Sequence, residues 1–167
     1  LASVKKVPYS TVMVAMGGNG VKFGTRFAGT GARWFTVDAP LIEGLFLKPT
    51  YTKDDLLGFL GDSCVTEVYG LGGMSASAGP GYVVLTGSTF ADSLQRAADA
   101  RKVCVAEHRF APIPWDGGQG FPVGVDARKV VGLNILPTSH GGGTLKNGGQ
   151  GTMGAAKLPM DCFKQGL

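Results

Sequence analysis

The chain has 167 residues, and 28 of them are glycine, which is more than twice the usual share of about 7%. Hydrophobic residues make up 44% and the mean hydropathy is +0.13, so the composition excludes a disordered chain, and the lack of a three-residue glycine period excludes collagen. The net charge is +4 without a run of four basic residues, which argues against nucleic-acid binding and favours a small anionic ligand.

The N-terminal part of the chain is predicted to form short strands. Residues 9–16 contain several β-branched residues and predict a strand, residues 17–20 predict a turn, and residues 21–27 predict a second strand. These three segments together indicate a β-hairpin. A third short strand is predicted over residues 33–37.

The middle of the chain is predicted to be mainly helical. Residues 51–60 favour a short helix capped by Thr52. The small residues between 64 and 78 favour one or two buried, closely packed helices. Residues 82–86 predict a strand, whereas residues 89–105 predict the clearest helix, with a capping residue at its start and apolar residues at helical spacing.

The C-terminal part of the chain combines predicted loops and strands. Residues 107–119 contain two prolines and predict an irregular loop, and strands are predicted over 123–131 and 133–136. Residues 141–151 contain six glycines and predict either a mobile surface loop or a loop that approaches a ligand closely. The tail, residues 159–167, predicts one or two helical turns.

The order of these elements indicates the fold class. Strands outnumber helices and do not alternate regularly with them, so we expect a single α+β domain over residues 1–167, with mixed or antiparallel strands and a few helices. No apolar stretch approaches the roughly 18 residues of a transmembrane helix, and the N-terminus lacks a signal-peptide pattern. We therefore expect a cytoplasmic protein without a membrane partner.

The cysteine and histidine content argues against a metal site. The 3 cysteines are widely spaced and the chain has only 2 histidines, so no zinc-ligand pattern is present. Three buried, reduced thiols are the expected state of Cys64, Cys104 and Cys162. No local signature of a nucleophilic triad is present either.

A group of polar residues near position 64 is the first candidate site. Asp62, Ser63, Thr66 and Glu67 place two carboxylates and two hydroxyls at the predicted start of a helix. The free backbone N–H groups of such an end can bind an anion or orient a carbonyl. The alternative is simple capping of the helix by Asp62 or Ser63, with Glu67 in solvent.

Two further segments carry candidate binding residues. His140 precedes the glycine-rich segment and is a candidate general base, and Gln150 supplies a donor, although an ordinary packed histidine is the alternative. Asp126 and Arg128 fall on one face of a predicted strand. They form either an internal ion pair or an arginine site for a substrate carboxylate or phosphate.

A resemblance to a known family covers most of the chain. The sequence resembles the bacterial YlbE-like family, long described as a domain of unknown function, through a series of short motifs that occur in the same order. The most specific motif is Gly61-Asp62-Ser63 with Thr66-Glu67 and Gly70-Leu71-Gly72-Gly73. The others include Phe23-Gly24-Thr25-Arg26, Gly31-Ala32-Arg33-Trp34-Phe35-Thr36, Gly124-Val125-Asp126 with Arg128-Lys129-Val130-Val131, Gly149-Gln150 and Cys162-Phe163.

The resemblance also has two departures. Family members are considerably longer, so the chain is expected to correspond to their C-terminal half. Either a companion chain supplies the missing N-terminal half, or the chain is a divergent member with another substrate. The family has a His-Lys-Glu segment shortly before the Gly-Gln motif, where this chain has the glycine run of 141–148 and His140 lies a few residues earlier.

The resemblance implies a function in purine (allantoin) nitrogen metabolism. Family members are associated with oxamate carbamoyltransferase, which exchanges a carbamoyl group between oxalurate and phosphate and works with companion subunits. It implies a carbamoyltransferase-like subunit. Separately, we expect neither a metal nor a cofactor. The alternatives are a non-catalytic assembly subunit and a small-anion-binding module.

Residue roles follow from chemistry applied to the matching motifs. Carbamoyl transfer needs proton transfer and stabilisation of an oxyanion. The expected catalytic residues are Asp62, Ser63, Thr66, Glu67 and His140, and the expected substrate-binding residues are Arg33, Gly72, Gly73, Asp126, Arg128 and Gln150.

Overall fold

The protein is built around a large antiparallel sheet. The structure is a computed structural model, and it describes residues 7–61 and 64–167 except for the side chains of Val65 and Leu85. The strands are β1 (Met13–Asn19), β2 (Lys22–Phe27), β3 (Phe35–Asp38), β4 (Glu43–Phe46), β5 (Leu56–Gly61), β6 (Cys104–Pro112), β7 (Gly120–Val125), β8 (Thr138–Leu145) and β9 (Gln150–Lys157). The helices are α1 (Cys64–Glu67), α2 (Pro80–Leu85), α3 (Phe90–Val103), α4 (Ala127–Leu133) and α5 (Met160–Gln165), with 3₁₀ segments at Ala28–Thr30, Lys53–Asp55 and Gly72–Ala78.

The described strands form two sheets. Seven strands lie in the order β3-β2-β1-β5-β8-β9-β4, and β6 and β7 form a separate two-stranded sheet. The strand pairs within both sheets are antiparallel. The fold is therefore α+β with a single domain, as the sequence predicted.

Aromatic side chains form the centre of the core. The rings of Phe23 and Phe59 meet edge to face with centroids 5.5 Å apart, and the ring of Phe163 from α5 lies 6.0 Å from that of Phe27. All four side chains are fully buried. Because each buried phenylalanine contributes roughly 2–3 kcal/mol, this cluster is a main source of stability and attaches α5 to the sheet.

Glycines on three neighbouring strands make room for the Phe59 ring. A Cβ atom at Gly18, Gly61 or Gly141 would lie 2.6, 2.5 or 2.8 Å from carbon atoms of that ring. The distances are far below van der Waals contact, so these positions exclude every larger residue. Much of the glycine content of the chain thus serves the packing of the sheet.

Local elements agree with the sequence predictions. β1 and β2 form the predicted hairpin, although β1 extends through Asn19, so the predicted turn at 17–20 is too early. α3 is confirmed: the Thr89 side chain caps it and accepts a hydrogen bond from the Asp92 N–H at 3.1 Å. The helical tail is confirmed as α5.

Four predictions of secondary structure are wrong. The strand predicted over 133–136 is absent, because these residues form the end of α4 and the segment before β8. Residues 82–86 lie mostly in α2 because Pro80 occupies its first turn and favours a helix start. Residues 51–60 form one 3₁₀ turn capped by Thr52 and then β5. The predicted strand at 123–131 ends at Val125, where Asp126 begins α4.

The predicted loops also contain paired strands. β6 extends through Pro112, so only the later part of the predicted 107–119 loop lacks a strand. Residues 141–151 belong mainly to β8 and β9, which pair with each other, and β8 also pairs with β5. Backbone pairing with both neighbours stabilises a strand that its glycine content does not favour.

Candidate active site

Glu67 is a buried carboxylate held by backbone N–H groups. Its side chain, at the end of α1, is 4% exposed. Both carboxylate oxygens accept the His140 N–H at 3.0 Å, and Oε2 also accepts the Gly73 N–H at 3.0 Å. Burial raises the pKa of Glu67 to about 7, against the opposing hydrogen bonds from Gly73, His140 and Ser139. The carboxyl group is therefore close to half protonated at neutral pH.

His140 is a neutral imidazole beside this carboxylate. It lies on β8 and is 4% exposed. Neither of its ring nitrogens has a hydrogen-bond partner among the residues that the structure describes. Burial, and secondarily the positive charge of Arg96, lower the pKa of His140 to about 4. At neutral pH the ring carries one N–H donor and one acceptor nitrogen.

An open cleft adjoins the Glu67–His140 pair. Its volume is about 390 Å³, and the residues that line it come from the sheet and from α2: Leu60, Gly61, Tyr82, Gly141, Gly142, Gln150 and Met153. The Tyr82 ring lies 5.1 Å from the His140 ring, so Tyr82 contacts both the cleft and the buried histidine. Gly141 directly follows His140, which places the Glu67 carboxylate just behind the cleft wall.

The structure brings together several of the residues predicted from sequence. Glu67, His140, Gly72 and Gly73 lie in one cluster, and Gln150 lines the neighbouring cleft. Thr66 is exposed on α1. The predicted residues Asp62 and Ser63 lie outside the described residues.

Three predicted residues lie elsewhere. Arg33 stacks over the Phe35 ring, with its guanidinium carbon 4.9 Å from the ring centroid. Asp126 and Arg128 line a different cleft at the start of α4. There the Arg128 Nη2 lies 3.0 Å from Asp126 Oδ2, which is the ion pair that the sequence offered as one alternative.

Asp126 has a structural function at the start of α4. It is 3% exposed, and its Oδ1 accepts hydrogen bonds from the Arg128 N–H at 2.9 Å and from the Thr11 hydroxyl at 2.6 Å. Burial by itself raises the pKa of Asp126, but the hydrogen bonds from Arg128 and Thr11 outweigh it, so the pKa is lower than usual. Asp126 thus links the start of α4 to Thr11, in the segment that leads into β1.

Replacing Asp126 with Ala is expected to lower the free energy of unfolding by about 2–3 kcal/mol, because the helix cap and the Thr11 partner are both lost. Replacing Arg128 with Ala should cost below about 1 kcal/mol, because its side chain is 71% exposed. Urea unfolding of both variants measures the difference. Equal losses would contradict a capping function for Asp126.

Gly72 and Gly73 shape the pocket around the carboxylate. Gly73 donates its N–H to Glu67, and Gly72 adopts a φ of +83°, a region that glycine favours. A Cβ atom at Gly72 would overlap the Glu67 carboxyl group. Both glycines therefore contact Glu67, in the segment that the sequence assigned to substrate binding.

Replacing Gly72 with Ala is expected to lower the free energy of unfolding by about 3–4 kcal/mol, since it adds backbone strain and displaces a buried carboxylate. Gly148 is a matched control: its φ is +93° and a Cβ there would meet nothing within 4 Å, so its replacement should cost only the strain, about 1 kcal/mol. Thermal unfolding compares the two, and equal losses would show that the Glu67 contact is unimportant.

Sequence reasoning missed Tyr82 and Arg96. Tyr82 was assigned to a strand, and Arg96 occupies an ordinary position on α3. Neither residue carries a motif that points to the site. The proximity of Tyr82 to His140 depends on tertiary packing, which brings the two rings to 5.1 Å.

Among the described residues, no group of three or more histidine, cysteine, aspartate or glutamate side chains is arranged to hold a metal ion. All three cysteines are buried, as the sequence predicted. None of the helices in the described ranges has the length and apolar character needed to cross a membrane.

Together these features define a class of protein: an α+β domain with a glycine-rich antiparallel sheet and a buried glutamate–histidine pair beside an open cleft.

The family profile described as oxamate carbamoyltransferase subunit AllG matches residues 1–63. The chain is 33% identical over 161 residues to the oxamate carbamoyltransferase subunit AllG of Escherichia coli (strain K12), covering 94% of this chain and 38% of that protein.

Two further proteins are similar over nearly the whole chain. The uncharacterized protein YahG of Escherichia coli (strain K12) is 32% identical over 163 residues, covering 96% of this chain and 34% of YahG. A crystal structure of a conserved protein of unknown function from Enterococcus faecalis V583 has a TM-score of 0.89 and 32% identity, covering 96% of this chain and 39% of that one. The chain thus spans between about a third and two fifths of the length of these relatives.

Proposed function

We propose that this chain is a subunit of a carbamoyltransferase-like enzyme that acts on oxalurate or oxamate and phosphate, in the cytoplasm, together with companion subunits. The similarity to a protein named as a subunit of oxamate carbamoyltransferase supports the proposal. The observation that carries it is the buried Glu67 carboxyl group, whose pKa is about 7, directly behind an open cleft. The YlbE-like name and the correspondence to a C-terminal half remain predictions.

The reaction needs a group that both takes and gives a proton. A phosphate oxygen attacks the carbamoyl carbon of oxalurate, and the carbon–nitrogen bond to oxamate breaks. The proton lost by phosphate is needed on the oxamate nitrogen, so no net proton is consumed. A carboxyl group with a pKa near the working pH is suited to this transfer. In the proposal Glu67 performs it, with Asp62 as the alternative.

The proposal assigns the remaining residues by their contacts. The Gly73 N–H is already bonded to Glu67, so Gly72 and Gly73 orient this carboxylate. Gln150 and the backbone at Gly141 line the cleft and can contact the anionic substrate. Ser63 and Thr66 are retained as substrate-contacting residues on the sequence motif alone. Arg128 forms an ion pair with Asp126, and we assign it no contact with the substrate in this cleft.

The experiment is an assay for carbamoyl phosphate released from oxalurate. The chain is combined with its companion subunits, and product is measured with and without phosphate. We expect phosphate-dependent release that needs this chain. Absence of turnover with the complete complex would contradict the proposal.

A non-catalytic assembly subunit is the second candidate, and an exposed apolar surface favours it. Leu45 pairs with Met153, Met153 with Gly142, and Gly142 with Leu60, so this row lies on one face of the sheet. Leu45 and Leu60 are 48% and 41% exposed. Co-purification with companion chains and light scattering test it, and a stable, fully active lone chain would contradict it.

A further inference from the structure

A shallow trough on one face of the large sheet is lined mainly by glycine backbone. Its volume is about 370 Å³, and Gly17, Gly18, Gly24 and Gly61 line it together with the exposed indole of Trp34. Gly61 also lines the candidate active-site cleft, so the trough and that cleft adjoin each other. These five residues define what is called the glycine trough below.

Gly17 lies inside β1 although the packing of the domain does not require a glycine there. It does not have a positive φ, and a Cβ atom at this position would meet only the Gly61 carbonyl oxygen, at the ordinary distance of 3.9 Å. Gly18, in contrast, makes room for the Phe59 ring. A glycine inside a strand weakens the strand, and it often marks a place where a ligand or another backbone approaches closely. The free space above Gly17 therefore indicates an occupant from outside the domain.

The side chains around the glycine trough favour an apolar protein partner over a small anion. Lys22 is the one charged side chain among the described residues that line it, and its Nζ lies 2.6 Å from the Asp38 Oδ1. Trp34 is 47% exposed, and the exposed Leu60 lies opposite Asn19 on the neighbouring strand. An anion would compete with the ion pair, whereas apolar side chains of a partner would bury the indole, which is typical of protein interfaces.

The lengths of the relatives indicate which polypeptide covers this face. The chain covers 34% of YahG, 38% of AllG and 39% of the Enterococcus faecalis protein, so more than half of each relative lies outside the match. In the Enterococcus faecalis protein the matched region has the same fold, with a TM-score of 0.89. The additional polypeptide of each relative is tethered to this domain, which keeps it at a high effective concentration beside the open sheet face.

We propose that the glycine trough is the docking surface for a companion polypeptide equivalent to the part of AllG that this chain does not span. The docked polypeptide places apolar side chains over Gly17 and packs against Trp34. At Gly61 it borders the candidate active-site cleft, and it thereby supplies a further wall for that cleft. The inference rests on the proposed function for the companion subunit but not for the reaction.

Purification of the complex from the source cells, through a tag on this chain, tests the proposal. Native mass spectrometry should show a one-to-one complex whose second chain resembles the part of AllG outside the match. The Gly17→Val variant should weaken assembly by about tenfold or more, because its methyl groups fill the trough. Valine is favoured in strands and Gly17 has free space, so the isolated variant should keep its thermal unfolding midpoint.

Gly132 provides the matched control for this substitution. It is exposed on α4, and a Cβ atom there would meet nothing within 4 Å. The Gly132→Val variant should therefore assemble as the wild type does. Equal assembly of the two variants, a second copy of this chain in place of the companion, or the absence of such a companion would overturn the proposal.

A thiol placed in the trough measures directly whether the companion covers it. The three native cysteines are buried, so Gly17→Cys supplies an accessible thiol, and Gly132→Cys supplies a control thiol on α4. Maleimide labelling of Gly17→Cys should be about tenfold slower or more in the complex than in the free chain, whereas Gly132→Cys should react equally in both. Equal rates for Gly17→Cys would overturn the docking surface. A complex that covers the trough but releases no carbamoyl phosphate would refute the proposed function and leave this inference standing.

Discussion

Replacing Glu67 with Gln is expected to lower the rate of carbamoyl transfer by roughly 100- to 10,000-fold, because the amide cannot take and return a proton. The measurement is phosphate-dependent release of carbamoyl phosphate by the complex with companion subunits. In the wild type, the rate should depend on a group with a pKa of about 7, which is the value that burial gives Glu67. That dependence should disappear in the Gln variant.

Glu43 offers a matched control for this substitution. It lies exposed on β4, and its replacement with Gln makes the same chemical change outside the buried cluster. The Glu43 variant should keep its activity within about threefold. If the Glu67 variant loses rate equally at every pH and keeps the same pH dependence, then Glu67 only positions its neighbours. A rate equal to that of the wild type would refute the catalytic assignment.

The parts of the fold that could be predicted from sequence are those that local interactions determine. The hairpin of β1 and β2 joins strands that are adjacent in the chain, and α3 begins with a capping box formed by Thr89 and Asp92. Residues 82–86 misled the prediction because Val83 and Val84 favour strands. The segment is nevertheless helical, because Pro80 favours a helix start and α2 packs as a helix.

The glycine-rich segment shows why local composition was insufficient. The sequence predicted a loop at 141–151, since glycine has a low strand propensity. β8 instead fits between β5 and β9, where Gly141 makes room for the Phe59 ring. This requirement arises from a side chain that is remote in sequence.

The candidate site could be predicted only as separate residues. Glu67 and His140 were both named from chemistry, but they are 73 positions apart, and their contact depends on the position of α1 over β8. The alternative of a solvated Glu67 is wrong, because its side chain is buried. Tyr82 carries no signal in the sequence, since only tertiary packing places its ring near that of His140.

Glu67 and His140 are expected to give opposite contributions to the pH dependence of stability. Folding raises the pKa of Glu67 from 4.5 to about 7, so its contribution is fully present below pH 4.5 and is lost as the pH rises through 7. Folding lowers the pKa of His140 from 6.5 to about 4, so its contribution is fully present above pH 6.5 and is lost as the pH falls through 4. Each change corresponds to about 3 kcal/mol.

Between pH 4.5 and 6.5 the contributions of Glu67 and His140 to the unfolding free energy change in opposite directions and cancel in the wild type. Replacing one of the two residues should therefore reveal the contribution of the other. Relative to wild type, the Glu67→Gln variant should lose about 3 kcal/mol of unfolding free energy as the pH falls from 7 to 4.5, because only the His140 contribution remains. The His140→Asn variant should change by a similar amount in the opposite direction. Urea unfolding at several pH values measures both. The remaining carboxylates are the same in the wild type and in both variants, so they do not affect the differences between them. Parallel curves of unfolding free energy against pH would contradict the shifted pKa values of Glu67 and His140.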